Sequence, residues 1–414
     1  MGSGLLSALV LFAVNPMFQV PRGVNMLKSV VIHSFLSCYD VHLADLGTMC
    51  TLIGKNGAGK SNVLRAIEWA ARTAVSGQIS TTASGISPYD DSQAGSVELE
   101  FEVAKVSYRY SVRRAFKFIG GEKESSFEIE FVESLTKTAS LEPVFTRFKD
   151  KLTLFELGVP DKVMDVSTNV SALSALVSLL PSNSFIANLL EVTSFLWRVR
   201  YYELDCSTAD ESFVLDDEYQ RWRADILRPF HGAAHTNKKI IDLYFHRPEV
   251  YAEFVSLVGP DGLGILKGVD VYTYPPIEVP ATQPRLHYVQ FGVETEIPVA
   301  FGQLSFGTQR LIHLVLSILY DQARVYLIEQ PEDGIHSHLI HKLTSLLRAY
   351  ADGSQIFFAS HSATILNEML PEEIRLVEMS PVGTTVRALS KEEVKAADFY
   401  LQSEGSFSDF LSSI

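Results

Sequence analysis

The sequence predicts an α/β fold in which parallel strands carry a glycine-rich loop, with an antiparallel β-subdomain beside it and a helical insertion dividing the core. Three observations carry that expectation. A short apolar run leads straight into Gly54-Lys55-Asn56-Gly57-Ala58-Gly59-Lys60-Ser61, period-two alternation follows it, and a second set of apolar strands ending in polar residues appears beyond position 300.

The first 25 residues contain an apolar run over 5–14, too short to span a bilayer and with no basic residue before it as a signal peptide would have. Residues 1–25 are expected to be a leader outside the fold, with the first strand starting just after Met26, over 27–32. Residues 49–53 form the apolar strand before the loop, and 61–74 follow as a helix with Val63, Ile67 and Ala70 on one face. Apolar residues at every second position in 96–103, 107–112 and 127–131 predict half-buried antiparallel strands. From 141 to 268 the pattern lengthens into 171–180, 185–199 and 216–227, all read as helices, so a helical insertion is expected there. Glycine and proline punctuation over 259–268 and 275–284 marks its exit. Then helix and strand alternate: helix over 311–320, buried strand over 325–328, helix over 340–350, strand over 356–359. Residues 26–140 and 269–414 thus read as two halves of one head, split by 141–268.

Composition narrows the function classes. The chain is 47% hydrophobic and 20% charged, which excludes a disordered polymer. Its formal charge of −14 repels nucleic acid and acidic membrane surfaces as a whole. The set Arg109, Arg113, Arg114 and Lys117, interleaved with Tyr108, Tyr110 and Phe116, leaves a local DNA face open but reads more simply as the solvated face of a sheet. Asp216, Asp217 and Glu218 read as a solvated helix start rather than a metal site. Cys38, Cys50 and Cys206 are odd in number and lack C-x-x-C spacing, against both a disulfide framework and a zinc site, and fit a reducing cytoplasm.

The pattern G-x-x-x-x-G-K-[ST] binds phosphates because glycines let the backbone wrap them, several N–H groups point inward and the following helix presents its positive end. Gly54, Gly59, Lys60 and Ser61 satisfy it, with Asn56, Gly57, Ala58 and Asn62 completing the cradle. Lys60 is placed for the β- and γ-phosphates of ATP and Ser61 for Mg²⁺. A second element, Leu304-Ser305-Phe306-Gly307-Thr308-Gln309-Arg310-Leu311, is a small-residue loop entering an apolar helix; capping by Ser305 or Thr308 explains it equally well in isolation. A third, Val325-Tyr326-Leu327-Ile328-Glu329-Gln330-Pro331-Glu332, is a buried strand with acids at its carboxyl end, where ligands gather in parallel sheets, so Glu329 is a candidate Mg²⁺ residue through water. The fourth, residues 356–362, ends an apolar strand in His361, a candidate γ-phosphate sensor.

In this order the four motifs resemble the ABC-type ATPase heads of the SMC, RecF and OLD-like group. The nearer resemblance is to AAA-family ATPases related to OLD nucleases and abortive-infection proteins, which share the run L-S-x-G-T-Q-R-L, an acidic-Pro-Glu strand end closing in L-H, and T-H-S. Here Ile335-His336 and Ser360-His361-Ser362 stand in those last two places. The resemblance covers roughly 26–135 and 285–380 and implies a P-loop NTPase head of ABC type. It further implies a homodimer closed around two ATP molecules, with higher oligomers open, in which Ser305, Gly307 and Gln309 of one subunit meet the γ-phosphate held by the other. An anti-phage defence or DNA-maintenance role, and a separate nuclease or toxin as effector partner, come from the same resemblance.

The departure lies at Gln330, where that family usually has a glutamate polarising the attacking water. A glutamine holds water but cannot take its proton. Three readings stay open: an ATP-held clamp of slow turnover, an introduced trap substitution, or Glu332 as the base, the last disfavoured because it lies past Pro331. An ABC transporter subunit ranks low, given the long insertion and Glu329 where an aspartate is usual. A TOPRIM nuclease domain has no room, since only about 80 residues follow Glu332.

Overall fold

The computed structural model describes residues 25–77, 94–121, 124–155, 162–179, 184–203, 213–225, 235–276, 284–351, 353–403 and 406–413. The expected leader, up to residue 24, and Cys206 lie outside them, as do the side chains of Phe116 and Lys117.

In chain order the first elements are β1 (Met26–Phe35), β2 (Cys38–Leu43), β3 (Met49–Ile53), α1 (Lys60–Val75), β4 (Ala94–Val103), β5 (Val106–Gly121) and β6 (Glu124–Lys137). Next come β7 (Glu142–Phe148), β8 (Lys151–Leu154), β9 (Lys162–Asp165), α2 (Ala172–Leu179), α3 (Ser184–Trp197) and β10 (Val199–Glu203). The middle holds β11 (Val214–Leu215), α4 (Asp216–Ala224), α5 (Thr236–His246), α6 (Pro248–Val258), β12 (Gly268–Tyr274), β13 (Leu286–Gly292) and α7 (Phe306–Asp321). The chain closes with β14 (Val325–Glu329), α8 (Ser337–Tyr350), β15 (Gln355–Ser360), α9 (Ala363–Leu366), β16 (Ile374–Ser380), β17 (Gly383–Ala388), α10 (Lys391–Ser403) and α11 (Phe407–Ser413).

These elements form two compact units, one of Met1–Tyr201, Arg324–Leu327 and Ala351–Ile414, the other of Tyr202–Ala323 and Ile328–Tyr350. The first is built on a 14-stranded sheet in the order β10-β14-β15-β3-β16-β17-β2-β1-β4-β5-β6-β7-β8-β9. Strands β15, β3 and β16 are mutually parallel, whereas β1, β2 and β4 to β9 pair antiparallel. The residue patterns explain the split. All of β15 is buried, as a strand covered on both faces must be. In β4 only alternate residues Val97, Leu99, Phe101 and Val103 are buried, leaving Glu98, Glu100 and Glu102 on the other face. Helix α1 packs on β15 of the parallel part and on β1, β4 and β5 beside it, burying Val63, Leu64, Ile67, Ala70, Ala71 and Ala74; each large aliphatic so buried contributes about 1.5–3 kcal/mol. On α3, Phe195 stacks on Phe101 of β4 at 5.1 Å.

The span expected to be a helical insertion from 141 onward opens instead with β7, β8 and β9, which extend the antiparallel sheet. Short alternations such as Leu152 and Leu154 within a polar setting hid them. A buried ion pair holds the transition to α2: Arg147 Nη1 lies 2.6 Å from Glu133 Oε2, which also accepts from the Ala172 amide at 2.9 Å. The Tyr110 hydroxyl donates to Glu133 at 2.8 Å, and Arg147 also reaches the carbonyls of Ser167, Thr168 and Val170. Removing either charge would strand the other in the core, at about 3–5 kcal/mol.

In the second unit a three-stranded sheet, β11-β13-β12, accompanies α4 to α8. Helix α7 is buried over most of its length, with Leu311, Ile312, Leu314, Val315 and Leu316 inside, and even Arg310, His313 and Ser317. The Asp242 carboxylate accepts from Tyr219, Arg223 and Tyr320, each at 2.9 Å, and ties α4, α5 and α7 together. Asp216, Asp217 and Glu218 form the first turn of α4, but only Asp217 is the solvated acid expected there, since Asp216 pairs with His287 at 3.1 Å and Glu218 with buried Lys238.

Candidate nucleotide-binding site

The glycine-rich loop leaves β3 at Ile53 and enters α1 at Lys60. Gly57 and Gly59 take φ of +80° and +101°, which side chains rarely adopt. A Cβ on Gly59 would lie 2.0 Å from Thr384 Oγ1 and 2.7 Å from Ser37 Oγ, and one on Gly54 would lie 2.1 Å from the Val377 carbonyl. The glycines are therefore needed for the approach of neighbouring strands as well as for wrapping phosphate. Lys60 Nζ donates to the Gly54 carbonyl at 2.7 Å and to that of Lys55 at 3.0 Å, curling back over the loop. Helix α1 has no acid in its first turn, so no carboxylate of its own competes for its positive end.

The sequence alone did not reveal a brace beneath this loop. Thr384, at the start of β17, donates to the Ala58 carbonyl at 2.9 Å and shares a 2.7 Å hydrogen bond with Ser37, which also accepts from Asn62 Nδ2 at 2.7 Å. The Thr384 amide donates to the Ser37 carbonyl at 2.7 Å. The only signal was chemical: a threonine hydroxyl beside a glycine, 326 residues from the carbonyl it holds.

The strand register places His361 on the same edge as the loop. Ala359 pairs with Leu52 and Ser360 with Ile53, so His361 and Gly54 leave adjacent parallel strands at the same level. His361 is exposed, between buried Ser360 and half-buried Ser362, which caps α9 by accepting from the Thr364 amide. Strand β14 lies next to β15 in the sheet and runs on into Glu329 and Gln330.

Within the second unit, the start of α7 packs on the turn after β14. Ser305 caps α7, its Oγ accepting from the Thr308 amide at 3.3 Å. A Cβ on Gly307 would lie 2.1 Å from the Gly334 carbonyl, so that backbone contact requires glycine. Gln309 is buried and donates to the carbonyls of Phe301 and Leu304, bracing the loop from inside. Arg310 Nη2 donates to the Gln330 carbonyl at 2.6 Å, and Gln330 has φ of +44°. This bond joins the helix that begins at the loop of Ser305 and Gly307 directly to the backbone of Gln330. Glu332 is 7% exposed. Ser61 and Glu329 both offer hard oxygen donors, the kind Mg²⁺ accepts.

A family model described as "AAA domain, putative AbiEii toxin, Type IV TA system" matches residues 50–367. The chain belongs to that family. It is accordingly a P-loop ATPase of the AAA kind, and all four motifs lie inside the matched span. Among solved structures, it is similar to an Smc head bound to the C-winged helix domain of ScpA, with 11% identity, 89% of this chain and 99% of that one covered, and a TM-score of 0.46. The SMC head domain from Thermotoga maritima shares 13% identity over 88% of this chain and 99% of that one, at a TM-score of 0.39. An Smc head with an extended coiled coil, bound to the C-terminal domain of ScpA derived from Pyrococcus furiosus, shares 11% identity over 92% and 100%, at 0.48. No curated protein matches. Among the described residues no helix is long and apolar enough to cross a membrane.

Proposed function

We propose that this chain is an ATP-dependent switch whose heads pair around ATP, with slow turnover set by Gln330. The observation that carries it is the phosphate cradle: glycines that admit no side chain, a lysine curled over the loop and a helix start free of acids. Lys60 would exchange the carbonyls of Gly54 and Lys55 for phosphate oxygens, while the amides of residues 57–61 receive the rest. Asn56 and Asn62 would border the cradle. When bound, Mg²⁺ neutralises phosphate charge, and Ser61 and Glu329 are the residues proposed to hold it. Gln330 would orient water through its amide without accepting a proton, and His361 would hydrogen-bond the γ-phosphate. Ser305 and Gly307 are assigned to the neighbouring subunit's nucleotide in a homodimer, a role that Ser305, exposed at the head of α7, suits best, whereas Gln309, expected beside them, is buried and supports their loop from behind instead. The family's description supports a defence role over DNA maintenance. Buried, unpaired Cys38 and Cys50 support a cytoplasmic location.

The test is phosphate release from ATP and Mg²⁺ by the chain, by Gln330→Glu and by Lys60→Ala. General-base catalysis is worth about 10²–10⁴-fold, so Gln330→Glu should turn over about a hundredfold faster, and Lys60→Ala not at all. A Lys60-dependent rate equal in the chain and the Glu variant would refute the assignment of Gln330. Light scattering with ATP and Mg²⁺ should give a dimer; a monomer at micromolar concentration sinks the paired-head part.

A second reading, favoured by Gln330, is a scaffold that holds ATP without hydrolysis and keeps a separate nuclease or toxin inactive. Copurification of an unrelated chain, released on nucleotide removal, distinguishes it.

A further inference from the structure

On the solvent face of the β1–β2 hairpin, three side chains outside the nucleotide site converge. Register pairs His33 with Asp40 and Val31 with His42, so His33, Asp40 and His42 project from one face while Ile32, Val41 and Leu43 point into the core. His33 Nδ1 and His42 Nε2 each lie 2.9 Å from the same atom, Asp40 Oδ1. All three donor atoms fall within 4.8 Å of one another. Among the described residues, the ion-pair partners of Asp40 are these two imidazoles, with no lysine or arginine. Exposed pairs of this kind contribute about 0–1 kcal/mol to folding, so stability alone gives little reason for two rings to meet on one carboxylate.

We propose that His33, Asp40 and His42 form a site for a borderline divalent transition-metal ion, for which Zn²⁺ is the probe. Two imidazole nitrogens and one carboxylate oxygen match zinc, whereas Mg²⁺ and Ca²⁺ prefer all-oxygen sets. Bonds of about 2.1 Å in a tetrahedral site set donors about 3.4 Å apart, a spacing that ring rotation reaches from the separations here. Three protein ligands leave the fourth position to water or to a donor from another molecule. The cysteines pointed away from zinc; this site uses none of them. Its ion would staple β1 to β2, three residues from Ser37, whose hydroxyl braces the phosphate loop.

The test is calorimetric titration of the full, chelator-treated chain with Zn²⁺ in excess Mg²⁺, beside His33→Ala, His42→Ala and, as a control elsewhere, His338→Ala. The side chains of His33 and His42 are 47% and 62% exposed, so both variants should melt, metal-free, as the parent does. One equivalent should bind, weakened at least about tenfold in each of the two hairpin variants and unchanged in His338→Ala. Co²⁺ substituted for zinc should give visible absorption lost in the same two variants. Absence of stoichiometric binding, or equal binding by the parent and both hairpin variants, overturns the proposal.

Discussion

Replacing Thr384 with valine keeps its volume and removes one hydroxyl, which isolates the brace under the phosphate loop. Thr384 is 1% exposed, and its Oγ1 donates to the Ala58 carbonyl at 2.9 Å while bonding Ser37 at 2.7 Å. Each buried hydrogen bond is worth about 0.5–1.5 kcal/mol net, and stranding a carbonyl costs about 1–3, so a total near 2 kcal/mol is expected. The share that falls on the loop alone appears as lost nucleotide affinity. At about 1.4 kcal/mol per tenfold, its ceiling is a roughly 30-fold rise in Kd. Thr384→Ser keeps the hydroxyl and drops a methyl, costing about 1 kcal/mol of stability while leaving affinity near the parent's. The assay is titration with a fluorescent ATP analogue, paired with thermal denaturation of each variant. Parent-like affinity in Thr384→Val, or equally poor binding by Val and Ser, would refute the claim that the hydroxyl shapes the loop.

Gly307→Ala should destabilise by about 1–3 kcal/mol, because the new methyl meets backbone, the Gly334 carbonyl at 2.1 Å, which cannot rotate away; the melting temperature checks it. Burial, then Lys239 and Arg310, holds His313 down to about 3, so it stays neutral in the folded chain while the unfolded chain takes up a proton below about 6.5. Its contribution is complete at pH 7 and erodes as pH falls from 6.5 toward 3, by about 2 kcal/mol at pH 5; urea midpoints at pH 7 and 5 should converge in His313→Asn. Burial pushes the thiols of Cys38 and Cys50 up to about 12, so in a Cys206→Ser background neither should react with a thiol reagent at pH 8 until the chain is denatured. Labelling of the native chain would contradict their placement in the core.

The motifs were legible because their chemistry is local. A loop that wraps phosphate needs glycines, a lysine and a helix start within eight consecutive residues, and a buried parallel strand is a continuous apolar run. Residues 54–61 and the strands around 325–328 and 356–359 announced themselves on those grounds. The alternation in β4 likewise foretold one buried face. Strands β7, β8 and β9 went unread because four to seven residues of alternation are too short to separate from helix when pairing partners decide the outcome.

What only the tertiary structure decided are relations between residues distant in the chain. Thr384 and Ser37 gained their place under the loop from the pairing of β17 with β2, and His33 met Asp40 and His42 through the register of β1 with β2. Arg310 found the carbonyl of Gln330 because α7 packs on the turn after β14. Sequence determines which backbone a segment can adopt and which chemistry it carries, since sterics and hydrogen-bonding capacity act over a few residues. Which hydroxyl, imidazole or guanidinium completes a site is decided by strand order and register, and these follow from burying the whole core at once.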